Sequence, residues 1–252
     1  MKRLIGIIQF MTRIPIPIDT GFDEEFHKSM IYFPLVGLVL GVCYLLVAKI
    51  GLMILDPYLT AVLVLASEVI LTGGLHLDGL GDSFDGLYSY RDKDKILEIM
   101  KDSRLGTNGL LAIMIVFLLK VGLLNSLLQQ EILWPIITMP VVARSMQVVA
   151  CYKTCTPREK GMGNIFIGKV SLSYLIGVIL LMIGINRVAI YLMGDYVAYA
   201  NELIILLVMI IGVKLFVKSV YKKIDGITGD ILGCICELSE LVYLLIVYIS
   251  LF

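Results

Sequence analysis

Charge is scarce in this chain of 252 residues: Asp, Glu, Lys and Arg make up 17% of it, against about a quarter in a soluble domain. Such a chain cannot cover its surface with polar groups. Hydrophobic residues make up 59% and the mean hydropathy is +0.93, so lipid is the expected solvent for much of it. The few charges cancel to a formal net charge of +0, which removes the global field that a nucleic-acid partner would need. No paired Cys-x-x-Cys occurs among Cys43, Cys151, Cys155, Cys234 and Cys236. A zinc framework is therefore not expected, and small apolar filler is the expected role of all five. No Gly-x-x-x-x-Gly-Lys-Ser/Thr loop is present, which argues against an ATPase. The apolar run from Leu4 to Met11 is short, and Thr12-Arg13-Ile14-Pro15 follows it without a small-residue cleavage site. An interfacial N-terminal helix is expected there rather than a signal peptide. Linkers, repeats and low-complexity runs are also missing, so residues 1–252 read as one domain.

What is abundant is apolar sequence in lengths that cross a bilayer, for which roughly 20 residues are needed. The runs predict spans near 31–54, 58–76, 107–128, 132–151, 170–192, 199–219 and 230–252. The fold class is therefore all-α: a polytopic integral membrane bundle of about seven helices with an interfacial N-terminal helix. With seven spans, segments 1–30, 77–106, 152–169 and 214–229 fall on one side and hold 17 of the 21 basic residues. Such a bias predicts a multi-pass protein of the cell membrane, N-terminus in the cytoplasm and C-terminus outside.

The most informative stretch is Thr72-Gly73-Gly74-Leu75-His76-Leu77-Asp78-Gly79-Leu80-Gly81-Asp82-Ser83-Phe84-Asp85-Gly86. At 3.6 residues per turn, Asp78, Asp82 and Asp85 leave one helix face within an arc of about 60°. Converging carboxylates repel unless a cation neutralises them, and oxygen-only ligands favour a hard ion, Mg²⁺ with Mn²⁺ as the alternative. The glycines weaken a helix, and Gly79 and its neighbours are expected to let backbone approach a bulky ligand. His76 would orient a carboxylate or touch a phosphate. Glu68, inside the second span, should face the protein interior.

Met100-Lys101-Asp102-Ser103-Arg104 leads into the third span. Lys101 and Arg104 suit phosphate oxygens, Arg104 as a bidentate fork, and Asp102 offers a fourth metal ligand. Arg144, inside the fourth span, needs an anionic partner, either substrate phosphate or a carboxylate of the motif. Asp230, Glu237 and Glu240 share one face of the last span with Gly233. They would complete the metal site or pair with Arg144 or Lys120. Carboxylates, a divalent ion and arginines at the cytoplasmic face describe phosphoryl transfer by direct in-line attack of an alcohol.

These residues resemble the cobalamin synthase family. The resemblance rests first on His76-x-Asp78-Gly79-x-x-Asp82-x-x-Asp85-Gly86 behind Thr72-Gly73-Gly74. It extends to Phe10-Met-Thr-Arg-Ile-Pro15, Tyr32-Phe-Pro-Leu-Val-Gly37, Ile99-Met-Lys-Asp-Ser-Arg104 with Gly106, and Thr228-Gly229-Asp230 with Gly233 and Glu237. It covers essentially the whole chain in the family's order. One departure is Asp225, where the family usually has glycine. The resemblance implies a Mg²⁺-dependent transferase that joins α-ribazole or its 5′-phosphate to adenosylcobinamide-GDP, releasing GMP, the last assembly step of cobamide biosynthesis. It implies Asp78, Asp82 and Asp85 as metal ligands and, with Lys101 and Arg104, as the catalytic set. It implies Lys101 and Arg104 as the grip on the diphosphate, and Asp230 and Glu237 as candidates for the metal or for the ribazole hydroxyl; His76, Gly79, Arg144 and Thr228 join them as candidate substrate-binding residues. Membrane lipid is the expected surrounding, nucleic acid is not an expected partner, and a homo-oligomer is left open.

Two rival readings share some of these features. A CDP-alcohol phosphotransferase of phospholipid synthesis would show Asp-Gly-x-x-Ala-Arg, whereas here Asp82 and Ser83 follow Asp78-Gly79-Leu80-Gly81. A secondary transporter would carry membrane carboxylates too, but near mid-membrane and often in two related halves.

Overall fold

Prolines and short polar side chains start the helices at the edges of the apolar runs. The computed structural model describes residues 2–193 and 196–251, the side chains of 196–199 excepted. In it α1 spans Lys2–Met11, and a 3-10 turn over Phe26–Tyr32 leads into α2, Phe33–Ile54, with Pro34 in its first turn. α3, Pro57–Thr72, opens where Asp56 accepts from the Tyr58 and Leu59 amides at 2.9 and 3.1 Å, and Pro57 brings the preset φ of a first helical residue. α4 follows at Leu75–Leu87. The short α5, Lys93–Ile99, sits behind the Asp92 cap. α6 covers Thr107–Gln129 and α7 Trp134–Cys151. A 3-10 turn at Met162–Ile165 precedes α8, Leu172–Leu192, then α9, Tyr196–Ile224, and α10, Gly229–Leu251. The described residues are helical or irregular and contain no strand, as expected of an all-α protein.

Six stretches are long and apolar enough to cross a bilayer alone: Phe26–Ile54, α6, α7, α8, Ala200–Ile224 and α10. The expected second span, 58–76, needs correction. Its helix stops at Thr72, and α3 with α4 qualifies only as a pair bent by 92°. Gly73 and Gly74 make the bend with φ of +64° and +71°, left-handed values that a Cβ disfavours. α3 and α4 therefore run in different directions, and α4 packs against α10 and α6. Six spans and one broken pair agree with the expected count of about seven.

α7 is the axis of the bundle. All 18 of its residues are buried, and α2, α8, α9 and α10 pack around it. The outer helices instead expose large apolar side chains, among them Met53, Leu118, Leu180, Leu207 and Leu215. Apolar exposure on this scale is a lipid-facing surface, and closed helices satisfy their own backbone there. The chain is a multi-pass membrane protein.

One end of the bundle gathers the polar connections. The Arg13 amide donates to the Leu71 carbonyl at 2.6 Å, Lys223 Nζ to the Leu87 carbonyl at 2.6 Å, and the Ile227 amide to the Cys155 carbonyl at 2.9 Å. The N-terminal segment, α4 and α5, and the α7–α8 and α9–α10 connections thus share that end.

Candidate active site

The site begins where α4 crosses the first turn of α10. A Cβ on Gly79 would stand 2.7 Å from the Asp230 carbonyl oxygen, and one on Gly233 3.1 Å from that of His76. Only glycine permits this approach. The expectation that Gly79 makes room for a ligand is corrected to that extent: its missing side chain admits α10, although its backbone still lines the cavity described below.

The crossing brings the acidic residues together. Asp78 is exposed on α4 and Asp82 half-buried one turn on. Thr228 starts α10 by accepting from the Ile231 amide at 3.3 Å, and its hydroxyl donates to Asp230 at 3.1 Å. The charges of Asp78, Asp230 and Asp85 all act on the half-buried Asp82 carboxylate, with Arg158 acting in the opposite sense. Carboxylates crowded this way form an oxygen-only donor set that suits a hard divalent cation. Asp78, Asp82 and Asp230 could contribute oxygens to one.

Asp85 has a further task. Its oxygens accept from the amides of Gly106 at 2.7 Å and Gly109 at 2.9 Å, fixing α4 to the start of α6. A carboxylate has four lone-pair sites, so this leaves capacity toward a cation.

Beside the acidic crossing lies a cavity of about 370 Å³. Its polar side carries Asp78, Asp230, Lys101, Arg158, Lys160 and Asn164, and its apolar side includes Phe10, Phe33 and Phe166. Phe166 packs edge-on to Phe10 and Phe33 with ring centroids 5.7 and 5.5 Å apart. His76 lines the cavity from below, buried, and its Nε2 has no hydrogen-bond partner among the described residues.

Other expected site residues lie elsewhere. Arg104 is 87% exposed, pairs with its neighbour Asp102 and does not line the cavity. Asp102 is engaged by that pair, which holds its carboxyl down at about 2. Sequence spacing could not fix the direction of the Arg104 side chain. Asp225 reaches Lys93 at 3.0 Å and is mostly exposed.

Arg144 and Glu237 belong to a separate cluster inside the bundle. Lys120 Nζ lies 2.7 Å from Glu68, 3.2 Å from Glu237 and 2.5 Å from Glu240, and Arg144 pairs with the other oxygen of Glu240. Seven and ten residues past Asp230 on α10, these carboxylates sit about 10–15 Å deeper. Oxygens of Glu68, Glu237 and Glu240 lie within 4.8 Å of one another, but the Lys120 ammonium already stands among them. The cluster ties α3, α6, α7 and α10 together.

The sequence shows Arg158 only as one of the basic residues of segment 152–169. The structure pairs its Nη1 with Asp230 at 2.8 Å at the cavity wall. Lys160 and Asn164 accompany it on the same connection. Their closeness to Asp230 depends on the fold, and local spacing carries no trace of it.

A family model described as cobalamin-5-phosphate synthase matches residues 3–248. The chain is 53% identical over 257 residues to the adenosylcobinamide-GDP ribazoletransferase of Clostridioides difficile (strain 630), covering 100% of this chain and 99% of that protein. It is 47% identical to the one from Alkaliphilus metalliredigens (strain QYMF), covering 98% and 95%. It is 38% identical to the one from Klebsiella pneumoniae (strain 342), covering 97% and 98%. No solved structure matches it.

Proposed function

The chain belongs to the cobalamin-5-phosphate synthase family, and from that membership we propose that it joins α-ribazole or its 5′-phosphate to adenosylcobinamide-GDP and releases GMP. The ribose 3′-hydroxyl attacks the phosphorus attached to the aminopropanol arm of the corrinoid. A new P–O bond forms as the P–O bond to GMP breaks, and the hydroxyl proton goes to solvent or a carboxylate. The single structural observation that supports this reading is the placing of Asp78 and Asp230 on a cavity that Lys101 and Lys160 also line, with Asp82 one turn on from Asp78.

Asp78, Asp82 and Asp230 would hold Mg²⁺, with Asp85 able to add an oxygen. Such an ion, when bound, supplies charge neutralisation for phosphoryl oxygens. The chain's own residues orient the partners. Lys101 and Lys160 draw the phosphates to the polar wall. The phenylalanine side of the cavity excludes water and receives the apolar part of a nucleoside. A cavity of about 370 Å³ suits a nucleotide-sized ligand, so the corrin ring stays outside it.

The basic end of the bundle is the cytoplasmic one in this reading, which follows the positive-inside bias and leaves the site open to nucleotides. Lipid surrounds the exposed apolar faces. Purified protein incubated with adenosylcobinamide-GDP, α-ribazole 5′-phosphate and Mg²⁺ should yield GMP and a complete cobamide in equal amounts. Folded protein that yields neither would overturn the proposal.

A further inference from the structure

Arg158 has only 11% of its side chain exposed. Nη1 is paired with Asp230 at 2.8 Å. Nε and Nη2 are buried and have no hydrogen-bond partner among the described residues. Stranding buried donors costs about 1–3 kcal/mol each, and more where they are charged. The side chain does not sit there by slack. Its backbone amide donates to Thr156 Oγ1 at 3.2 Å, its carbonyl accepts from Asn164 Nδ2 at 2.9 Å, and Gly163 presses against the Gly229 backbone.

The unsatisfied atoms form the side-on edge of the guanidinium, the edge that engages two oxygens of one oxyanion in parallel. Arg158 lines the cavity together with Lys101 and Lys160. The same three residues line an adjoining recess of about 450 Å³. Three cations therefore line both spaces, with Asp78 and Asp230 lining the first and Glu159 the second. Only one of Arg158's faces is used by those carboxylates.

We propose that Arg158 is a substrate-binding residue: Nη1 stays on Asp230 while the Nε–Nη2 edge grips two non-bridging oxygens of a phosphate, flanked by Lys101 and Lys160. Asp230 is then both a cation-site residue and the anchor that aims the guanidinium. The identity of the phosphate rests on the ribazoletransferase reading. It belongs either to the diphosphate of adenosylcobinamide-GDP or to the 5′-phosphate of the ribazole, and both present the same chemistry.

The test compares wild type with Arg158→Lys, which keeps the charge and the fold but not the fork, and with Arg158→Met. Hydrogen bonds to charged groups are worth enough that KM should rise about tenfold to a hundredfold with a smaller change in kcat. If the diphosphate is gripped, KM for adenosylcobinamide-GDP rises with either acceptor. If the 5′-phosphate is gripped, KM rises for α-ribazole 5′-phosphate and not for α-ribazole. KM values unchanged for every substrate in both variants overturn the assignment. A second readout needs no turnover. In Mg²⁺ buffer, inorganic pyrophosphate should raise the thermal midpoint of wild type and not that of Arg158→Met. An equal response of the two proteins, zero included, overturns the assignment. Arg158-dependent protection in a wild type that releases no GMP would instead sustain the phosphate site while the ribazoletransferase reading fails.

Discussion

The Asp85 carboxylate accepts a hydrogen bond from the Gly106 amide at 2.7 Å, so a residue of the acidic motif is also the latch between α4 and α6. A second bond, from Gly109, completes the latch. Asp85→Ala should lower the stability of the folded protein by about 1–3 kcal/mol, because two amides at the start of α6 lose their charged acceptor. Thermal unfolding in detergent measures this. Activity should fall with it, since α4 loses its tether. A midpoint equal to wild type would show that the latch contributes nothing to the fold.

Asp82 should behave differently. Burial and three neighbouring carboxylates oppose its charge, so the ionised group destabilises the metal-free fold. Asp82→Asn is expected to leave the thermal midpoint in EDTA unchanged or slightly raised, while GMP release falls by orders of magnitude. A midpoint several degrees lower would make Asp82 a structural residue, and wild-type turnover would remove it from the site.

How far these roles could be read in advance depends on distance along the chain. The spacing of Asp78, Asp82 and Asp85 is local, within about two turns of one helix, and so was legible. The apolar runs were legible for the same reason. Gly73 and Gly74 were visible as glycines, but a pair of glycines does not by itself announce a bend of 92°. The pairing of Arg158 with Asp230 and of Lys120 with three glutamates joins segments far apart in sequence. One-dimensional spacing contains no record of either. Arg104 shows the converse: its residue type and segment suit a phosphate, and its side chain turns to Asp102 and the solvent.

Metal dependence follows from the donor set. Excess EDTA should abolish GMP release, and added Mg²⁺ should restore it, with Mn²⁺ a partial substitute. Undiminished activity in EDTA would mean that Asp78, Asp82 and Asp230 are neutralised by lysine and arginine alone.

The two basic residues after α5 should separate in kinetics. Lys101 lines the cavity, and Arg104 does not. Lys101→Ala should therefore raise KM for adenosylcobinamide-GDP about tenfold, the effect of losing one charge-assisted contact. Arg104→Ala should have the smaller effect, since an exposed ion pair contributes little. The reverse order would mean that the 100–106 segment rearranges when substrate binds.

Lys120 supports the site from below. Its ammonium is shared by Glu68, Glu237 and Glu240 on two other helices, and its side chain is 0% exposed. Lys120→Met would strand three buried carboxylates with Arg144 as their remaining counter-charge. Removing one partner of a buried pair typically costs about 3–5 kcal/mol, a large part of the stability of most domains. We expect little folded protein from this variant, measured as the monodisperse fraction in detergent. Adding Glu68→Gln to Lys120→Met removes one of the uncompensated charges and should recover part of the yield. If Lys120→Met alone is as stable as wild type, those carboxylates are protonated in the native protein and the cluster is held by hydrogen bonds between acids rather than by charge. That outcome would also free Glu68, Glu237 and Glu240 from their assignment as glue between α3 and α10.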